Sequence, residues 1–477
     1  MPSMNHRVGL DRGQTLLFPE RLEDYIGAEN PVRFLDAFVG SLDLPALEFA
    51  KARCANTGRP PYDPAALLKL YLYGYLHRVR SSRLLEAECH RNVEVLWLLG
   101  KLTPDFKTIA DFRKDNLQPL KAVARQFTLL CRKLELFGGE LLAIDGSKFA
   151  AVNARDQNFN AGKLQELIAR ADARLAEYLQ QLDASDTTEP SPSAVSPSEL
   201  AAKIAALREK QDWHRELLAQ LDAEQKQVSV TDPDTRKLPT AQGNVIGYNA
   251  QVAVDAKHKL IVADDVTNEG TDLRQLANVA LAAKNNLELQ HADVVADAGY
   301  YNASEVSRCV ECGLTPFIPK ADTSANTALG LYGKNQFKYD LTKDVYHCPA
   351  GSELTYRFST YELGRELKYY RAKHCQTCPL KSRCTRNQGN RTLTREANEH
   401  LMEAMAARMQ REPHKFKLRK TLVEHPFGTI KRYFGYTHFL LKGLTKVRTE
   451  WSLTTLAYNL KRVLNLVSVE KLLLAVG

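Results

Sequence analysis

No apolar run in this 477-residue chain approaches the ~20 residues needed to cross a bilayer, so no membrane-spanning helix is expected. The opening Met1-Pro2-Ser3-Met4-Asn5-His6-Arg7 lacks the apolar core of a signal peptide, and a cytoplasmic protein is the expectation. Cysteine is sparse and odd in number, nine residues in all, which argues against a disulfide framework. Metal binding or buried thiols are the readings left for it. What remains is an ordinary globular composition, 44% hydrophobic and 25% charged. The chain is longer than one core serves, so two to four modules are expected.

The net charge of +9 is unevenly placed. Between Arg411 and Arg448 ten lysines and arginines face two acids, Glu412 and Glu424, which accounts for nearly the whole excess. Phe416, Phe427, Tyr433, Phe434, Tyr436 and Phe439 are interleaved with them. A basic stretch studded with aromatics is the footprint of a polyanion partner, although a charge run by itself also fits a solvated helix face.

Residues 15 to 136 read as helical. Asp63-Pro64 is an N-cap with proline at the first helical position, Ser81 or Ser82 caps the next helix, and Thr108 caps Ile109 to Lys114. Short helices with basic turns such as His77-Arg78-Val79-Arg80 suit either a helix-turn-helix-like DNA-binding module or a plain bundle. A sheet then begins with Leu141-Leu142-Ala143-Ile144-Asp145. Two long amphipathic stripes between residues 162 and 225, separated by the loop-like Ser185 to Ser193, predict an inserted helical hairpin. The sheet resumes at Gly247 to Asp255 and Lys259 to Ala263, a pair joined by the turn Asp255-Ala256-Lys257-His258. A helix from Asp272 to Glu288, a buried strand His291 to Asp297, a helix from Asn302 to Cys312 and a strand Thr315 to Pro319 complete the unit. The order is three antiparallel strands, helix, strand, helix, strand.

Asp145 and Asp297 each close a short apolar strand of that sheet. A carboxylate there costs free energy unless a cation or hydrogen bonds compensate it. If the two strands are neighbours both acids emerge at one rim, where divalent magnesium or manganese is the natural partner. Holding two ions for phosphoryl transfer needs a third acid. Glu424 is chosen because it lies deep in the basic stretch, with Glu412 and Glu450 as fallbacks. Pro426 is read as the first turn of a helix through Thr429-Ile430-Lys431-Arg432. Glu424 and Lys431, seven residues apart, would then share a face ~10 Å apart.

These residues resemble the DDE triad of bacterial insertion-sequence transposases, with Asp145, Asp297 in Val295-Ala296-Asp297-Ala298-Gly299-Tyr300, and Glu424 followed by Lys431. Pro60-Pro61-Tyr62-Asp63-Pro64, Arg80-Ser81-Ser82-Arg83, Thr108 to Lys114 and Gly247-Tyr248-Asn249-Ala250-Gln251 resemble further stretches of the same superfamily. So does the cysteine-rich segment before the glutamate. Relatives place an arginine four residues before that glutamate; here Lys420 stands there with Arg419 beside it, and the tyrosine usual further upstream is missing.

The resemblance implies an α/β (α+β) fold built on a ribonuclease-H-like mixed sheet. It further implies a helical N-terminal DNA-binding domain (1–136), the first core strand (137–160), a helical-hairpin insertion (161–230), and the core continued (231–325). A cysteine-rich insertion (326–395) and C-terminal helices with a basic DNA-binding face (396–477) follow. The implied activity is DNA nicking and strand transfer with two Mg²⁺ or Mn²⁺ ions on Asp145, Asp297 and Glu424, with Lys431 positioning phosphate. Implied partners are double-stranded DNA, as terminal inverted repeats and target, and a second copy of the chain in a synaptic homodimer. The setting would be the bacterial cytoplasm at the nucleoid. Arg80, Arg83, Lys415, Lys417, Arg419, Lys420 and Arg432 are the expected DNA contacts. A non-catalytic DNA binder and a purely hydrolytic nuclease are the rival readings.

Cys375-x-x-Cys378 with Cys384 and the more distant Cys348 supply four thiolates, enough for a tetrahedral structural zinc; reduced thiols in a small core are the alternative. Cys309 and Cys312 share the spacing but fall on a predicted helix and read as buried thiols. His425 and His438 read as phosphate donors or bystanders, and Asp255, Asp265 and Asp272 as turn or cap residues.

Overall fold

Thirteen strands are formed among the described residues of the computed structural model, which cover 21–53, 60–153, 157–187, 197–221, 227–240, 242–320, 325–362 and 365–477. They are β1 (Leu141–Ala150), β2 (Asn158–Asn160), β3 (Gln227–Ser229), β4 (Arg236–Thr240), β5 (Gly243–Asp255), β6 (Ile261–Thr267), β7 (Ala292–Val295) and β8 (Leu314–Phe317). The remaining five are β9 (Lys338–Asp340), β10 (Val345–His347), β11 (Glu353–Glu362), β12 (Arg365–Ala372) and β13 (Thr392–Glu396). The chain divides into two compact units, one of residues 1–135, 432–435 and 452–477, the other of 136–431 and 436–451.

The first unit is helical, as its sequence predicts. Asp63 accepts from the Ala65 amide and Pro64 opens the helix Pro64–Leu76, the expected cap. Thr108 is not a cap. Asp105 takes that position, accepting from both the amide and the hydroxyl of Thr108, because a carboxylate is the stronger acceptor for exposed N–H groups. Ser81 holds the N-cap position of Ser82–Arg91 without a capping side-chain bond. Aromatic contacts among Phe34, Phe38 and Phe127, and among Phe49, Tyr71 and Phe112, fill the core.

The second unit is organised by a mixed sheet of order β4-β5-β1-β7-β8, with β6 also paired to β5. β1, β5 and β6 run antiparallel, as predicted, and β7 and β8, in the predicted chain order, are added parallel to β1, which makes the sheet mixed. β5 is buried along most of its length because both of its faces are covered. Helices Leu276–Leu287 and Ala303–Glu311 bury Leu276, Val279, Ala280, Ala283, Val306 and Cys309 against one face. Cys309 is thus the buried thiol expected, whereas Cys312, just past the end of its helix, is exposed. On the other face Trp451 packs on Phe149, Phe427 and Phe439 and donates its indole N–H to the Gln251 carbonyl.

Gly247 marks the tightest approach within the sheet. It pairs with Ala150, and a Cβ there would lie 1.9 Å from the Phe149 carbonyl oxygen, which is backbone and cannot swing aside. Gly247→Ala is expected to cost at least about 2 kcal/mol by forcing β1 and β5 apart. A lowered midpoint in thermal or denaturant unfolding checks it.

The inserted helical hairpin is formed by Ala161–Thr187 and Pro197–Ala219, which pack on each other. The first helix runs further than predicted, through Ser185 to Thr187; the rest of the predicted loop, 188–193, lies outside the described residues. β2 and β3 close its base, with Phe159, Leu164, Leu217 and Val228 as a small core.

The cysteine-rich stretch, without regular elements in the sequence reading, forms a second sheet of order β13-β12-β11-β10-β9 around Tyr346, Tyr370, Leu354 and Leu393.

Candidate active site

The parallel pairing of β1 with β7 sets Leu141 opposite Asp293, Leu142 opposite Val294 and Ala143 opposite Val295. Two residues further along both segments stand Asp145, in the middle of β1, and Asp297, just past the end of β7. Asp297 has left the strand. It caps the short turn Ala298–Tyr300, accepting from the Gly299 amide at 2.8 Å. Asp145 stays in the strand and accepts from the Gly146 amide at 2.9 Å.

A single cation spans them. The guanidinium of Arg419 reaches Asp145 Oδ2 at 3.3 Å with one nitrogen and Asp297 Oδ2 at 3.2 Å with the other. The Asp145 carboxyl is raised to about 6, chiefly by burial; Arg419 and the Gly146 amide pull against this, and Asp297 and Asp272 add to it. Two carboxylates facing one guanidinium leave one negative charge uncompensated at this point.

Glu424 is not brought to this pair. Helix Pro413–Gly428 carries both it and Arg419 and packs across β1, β5 and β7. Five residues along a helix is a turn of about 140°, so the two side chains leave different flanks. The Glu424 side chain is 64% exposed and its ion-pair partner is Lys420, at 3.8 Å. No contact joins it to either aspartate among the described residues. Of the fallbacks, Glu450 is buried and accepts from the Leu440 and Leu441 amides, and Glu412 pairs with Lys415.

The expected geometry around Pro426 is also corrected. Pro413 opens this helix and Pro426 lies inside it. A proline there removes an i→i−4 hydrogen bond, and the chain passes directly into a wider π turn, Thr429–Tyr433. The seven-residue spacing therefore does not put Lys431 and Glu424 on one face. Lys431 turns inward, donating to Ser147 Oγ at 2.6 Å and the Lys148 carbonyl at 3.1 Å, over the Phe149 ring. Burial lowers its pKa.

A third acid that the sequence reading set aside as a cap lies beside the pair. Asp272 is only 22% exposed at its side chain; its Oδ1 accepts from Asn249 Nδ2 and Gln251 Nε2, both at 2.7 Å, with Lys148 Nζ at 3.5 Å. Gln251 in turn accepts from the Tyr300 hydroxyl. Asp255 does hold the expected turn, accepting from the Gly138, Gly139 and Lys257 amides, and Asp265 pairs with Arg448. Among the described residues no three Asp, Glu, His or Cys side chains stand close enough together to hold a metal as they are placed.

The expected DNA contacts fall into different settings. Lys415 is engaged by Asp293 at 2.6 Å and by Glu412, while Lys420 is exposed. In the helical unit Arg80 is buried and Arg83 lies over the Phe106 ring. Cys348, Cys375, Cys378 and Cys384 line one small cavity with Tyr332, Phe337 and Arg391, and the Cys375 sulfur accepts from the Arg391 amide at 3.4 Å. Burial pushes the Cys384 thiol up, against the Arg391 charge, with Cys375, Cys348 and Cys378 adding to the rise.

Residues 20–115 match the family described as transposase domain (DUF772), and residues 347–464 match the family described as transposase DDE domain. The second match includes Glu424 and the four cysteines but neither Asp145 nor Asp297. No curated protein matches the sequence. Among solved structures the chain is similar to a piggyBac transposase synaptic complex with hairpin DNA, seen by cryo-EM, at 9% identity and a TM-score of 0.30, covering 94% of this chain and 80% of that one.

Proposed function

We propose that this chain, a transposase by both of its matched domains, cuts DNA strands and joins them to a target by metal-dependent phosphoryl transfer at the Asp145–Asp297 site. The observation that carries the reading is the pair of aspartates sharing one cation. Such a donor set fits a hard divalent ion, Mg²⁺ or Mn²⁺, held by Asp145 and Asp297. Bound there, two such ions would activate the attacking oxygen and stabilise the leaving one. The chain's own residues orient and neutralise. Lys431, fixed over Ser147 and Phe149, supplies a buried positive charge next to β1 for a phosphate oxygen. The exposed Lys420 and its basic neighbours would meet the DNA backbone, with strong salt dependence. Terminal repeats and target DNA, and a pair of chains bridging two ends, complete the reading.

Glu424 enters this reading as the triad's third acid from an exposed position. Glu424→Gln is expected to lose nicking of a terminal-repeat duplex in magnesium. Undiminished nicking would remove Glu424 from the chemistry. Strand transfer separates this reading from a hydrolytic nuclease, since a nuclease leaves pre-nicked ends unjoined.

Cys348, Cys375, Cys378 and Cys384 line one cavity, and the structural zinc read from their sequence would have to draw them together, since no three stand close enough as placed. Purified protein is then expected to carry about one zinc per chain, and Cys378→Ser to carry none. Metal analysis finding no zinc above background leaves four reduced thiols in a small core.

A further inference from the structure

The cysteine-rich sheet carries a second concentration of positive charge. Between Glu366 and Glu396 stand eight lysines and arginines and no acid. Three of them are engaged within the fold. Arg395 pairs with Glu403, Arg391 is buried and donates to the Cys384 and Tyr332 carbonyls, and Lys368 interacts electrostatically with Asp344. The other five, Arg371, Lys373, Lys381, Arg383 and Arg386, make no ion pair among the described residues. Four of these gather about the loop 385–391. Lys381 donates to the Gln388 carbonyl at 3.1 Å, and the Arg371 guanidinium lies 3.4 Å from where a Gly389 Cβ would sit. Arg386 is in the loop, and the Lys373 carbonyl accepts from Asn390. Cations packed this closely without counter-charge repel one another, and a polyanion relieves that repulsion.

The strand pair beside that loop presents aromatic rings to solvent. Tyr356 of β11 pairs with Tyr370 of β12 and Phe358 with Tyr369, so the register slips by one residue at Arg357. Without this bulge Phe358 would follow Leu354 and Tyr356 onto the core face. With it, Phe358 turns to the outer face and stacks on Tyr369, ring centroids 4.7 Å apart and planes 11° from parallel. Phe358 stays 54% exposed. β10 pairs with β11 only at Glu353, Leu354 and Thr355, so among the described residues no strand flanks Phe358 on its other side. The Tyr369 hydroxyl donates to Glu362 at 2.6 Å, which fixes its ring. Arg371 comes two residues after Tyr369 and shares its face, so the aromatic platform runs into the cations.

We propose that this outer face of β11 and β12, with the loop 385–391, binds unpaired DNA. Phosphates lie on Arg371, Lys373 and Arg386, and a base stacks on the Phe358–Tyr369 pair. Every base has a π face, and cations tracking the backbone beside an aromatic platform are what a single strand needs. A closed duplex offers its bases to no such platform, and the bulge that aims Phe358 outward would then serve nothing. The inference goes beyond the Asp145–Asp297 chemistry and rests on that reading only in taking DNA as the partner. An end released by strand cutting is the unpaired DNA this surface would retain.

The test is fluorescence anisotropy of the full chain across a salt series, with a labelled duplex bearing a single-stranded overhang and the same duplex blunt-ended. Joint Arg371→Gln, Lys373→Gln and Arg386→Gln should weaken overhang binding at least about tenfold and lower the salt slope by about two. Phe358→Ala should weaken overhang binding at least about fivefold and leave the blunt duplex within about twofold. Joint Lys203→Gln, Arg208→Gln and Lys210→Gln, which removes as much exposed charge from the inserted hairpin, should leave overhang binding within about threefold. If the first triple variant has a lowered thermal midpoint, Lys373→Gln with Arg386→Gln is judged by the same readings. Wild-type overhang affinity in the folded variant, or an equal loss from the hairpin variant, overturns the proposal. Loss in the triple variant with Phe358→Ala unchanged makes this face a duplex contact and overturns it too. Asp145→Asn is expected to bind the overhang as wild type does, so failure of the catalytic reading shows in nicking and failure of this one in binding.

Discussion

Asp145→Asn is expected to abolish magnesium-dependent nicking, by at least about 10³-fold, while leaving binding to terminal-repeat DNA unchanged. The amide keeps the side chain's size, so β1 and its pairing with β5 and β7 are undisturbed. What is lost is the charge that a divalent ion requires, because a neutral amide oxygen is a far weaker partner for a hard cation. On the proposed reading DNA binding would be carried elsewhere, by basic residues away from this carboxylate, and would follow salt. Nicking on supercoiled plasmid carrying the element's ends, paired with a mobility shift on the same repeat, separates the two effects. Equal nicking by variant and wild type sinks the catalytic assignment, and joint loss of binding and nicking points instead to a fold defect.

The core sheet was legible because its strands advertise themselves. Leu141 to Ile144 and Val294 to Ala296 are short apolar runs that only a sheet covered on both faces can bury, and each ends in a carboxylate. Their order along the chain, with a four-residue turn between β5 and β6, left little choice of topology. Asp272 was missed for a different reason. Its partners lie 23 and 21 residues earlier, at alternate positions of a strand otherwise apolar in this stretch. That was itself a signal: Asn249 and Gln251 point to one face, and two buried amides there need an acceptor.

The Glu424 geometry was misread because Pro426 was taken to open a helix that Pro413 opens, and ideal helical spacing was assumed from Glu424 to Lys431. Nothing in the local sequence announces a π turn, and one extra residue per turn is enough to rotate Lys431 away from its expected face. The second sheet was missed because β9, β10 and β13 are three to five residues each, too short for periodicity to register. β11 and β12 carry enough aromatics, Tyr356, Phe358, Tyr361, Tyr369 and Tyr370, to have been read as a hairpin.

Removing Arg419 is expected to move metal-free stability and metal affinity in opposite directions. In the absence of ions its guanidinium is what keeps Asp145 and Asp297 from facing each other unpaired, one carboxylate on each nitrogen. Arg419→Gln should therefore destabilise the metal-free protein by about 1–3 kcal/mol, below the full cost of breaking a buried pair because Asp297 is 41% exposed. On the proposed metal-dependent reading the same change clears the position a divalent ion would take, so Mn²⁺ affinity should rise about tenfold, and saturating Mn²⁺ should restore the lost stability. Arg419→Lys keeps the charge but not the fork that spans two carboxylates, and is expected to fall between. Unfolding midpoints with and without Mn²⁺ measure both effects on one protein. If Arg419→Gln lowers stability and Mn²⁺ affinity together, the guanidinium is a structural tie that the ion joins, and Arg419 is not standing where the ion belongs.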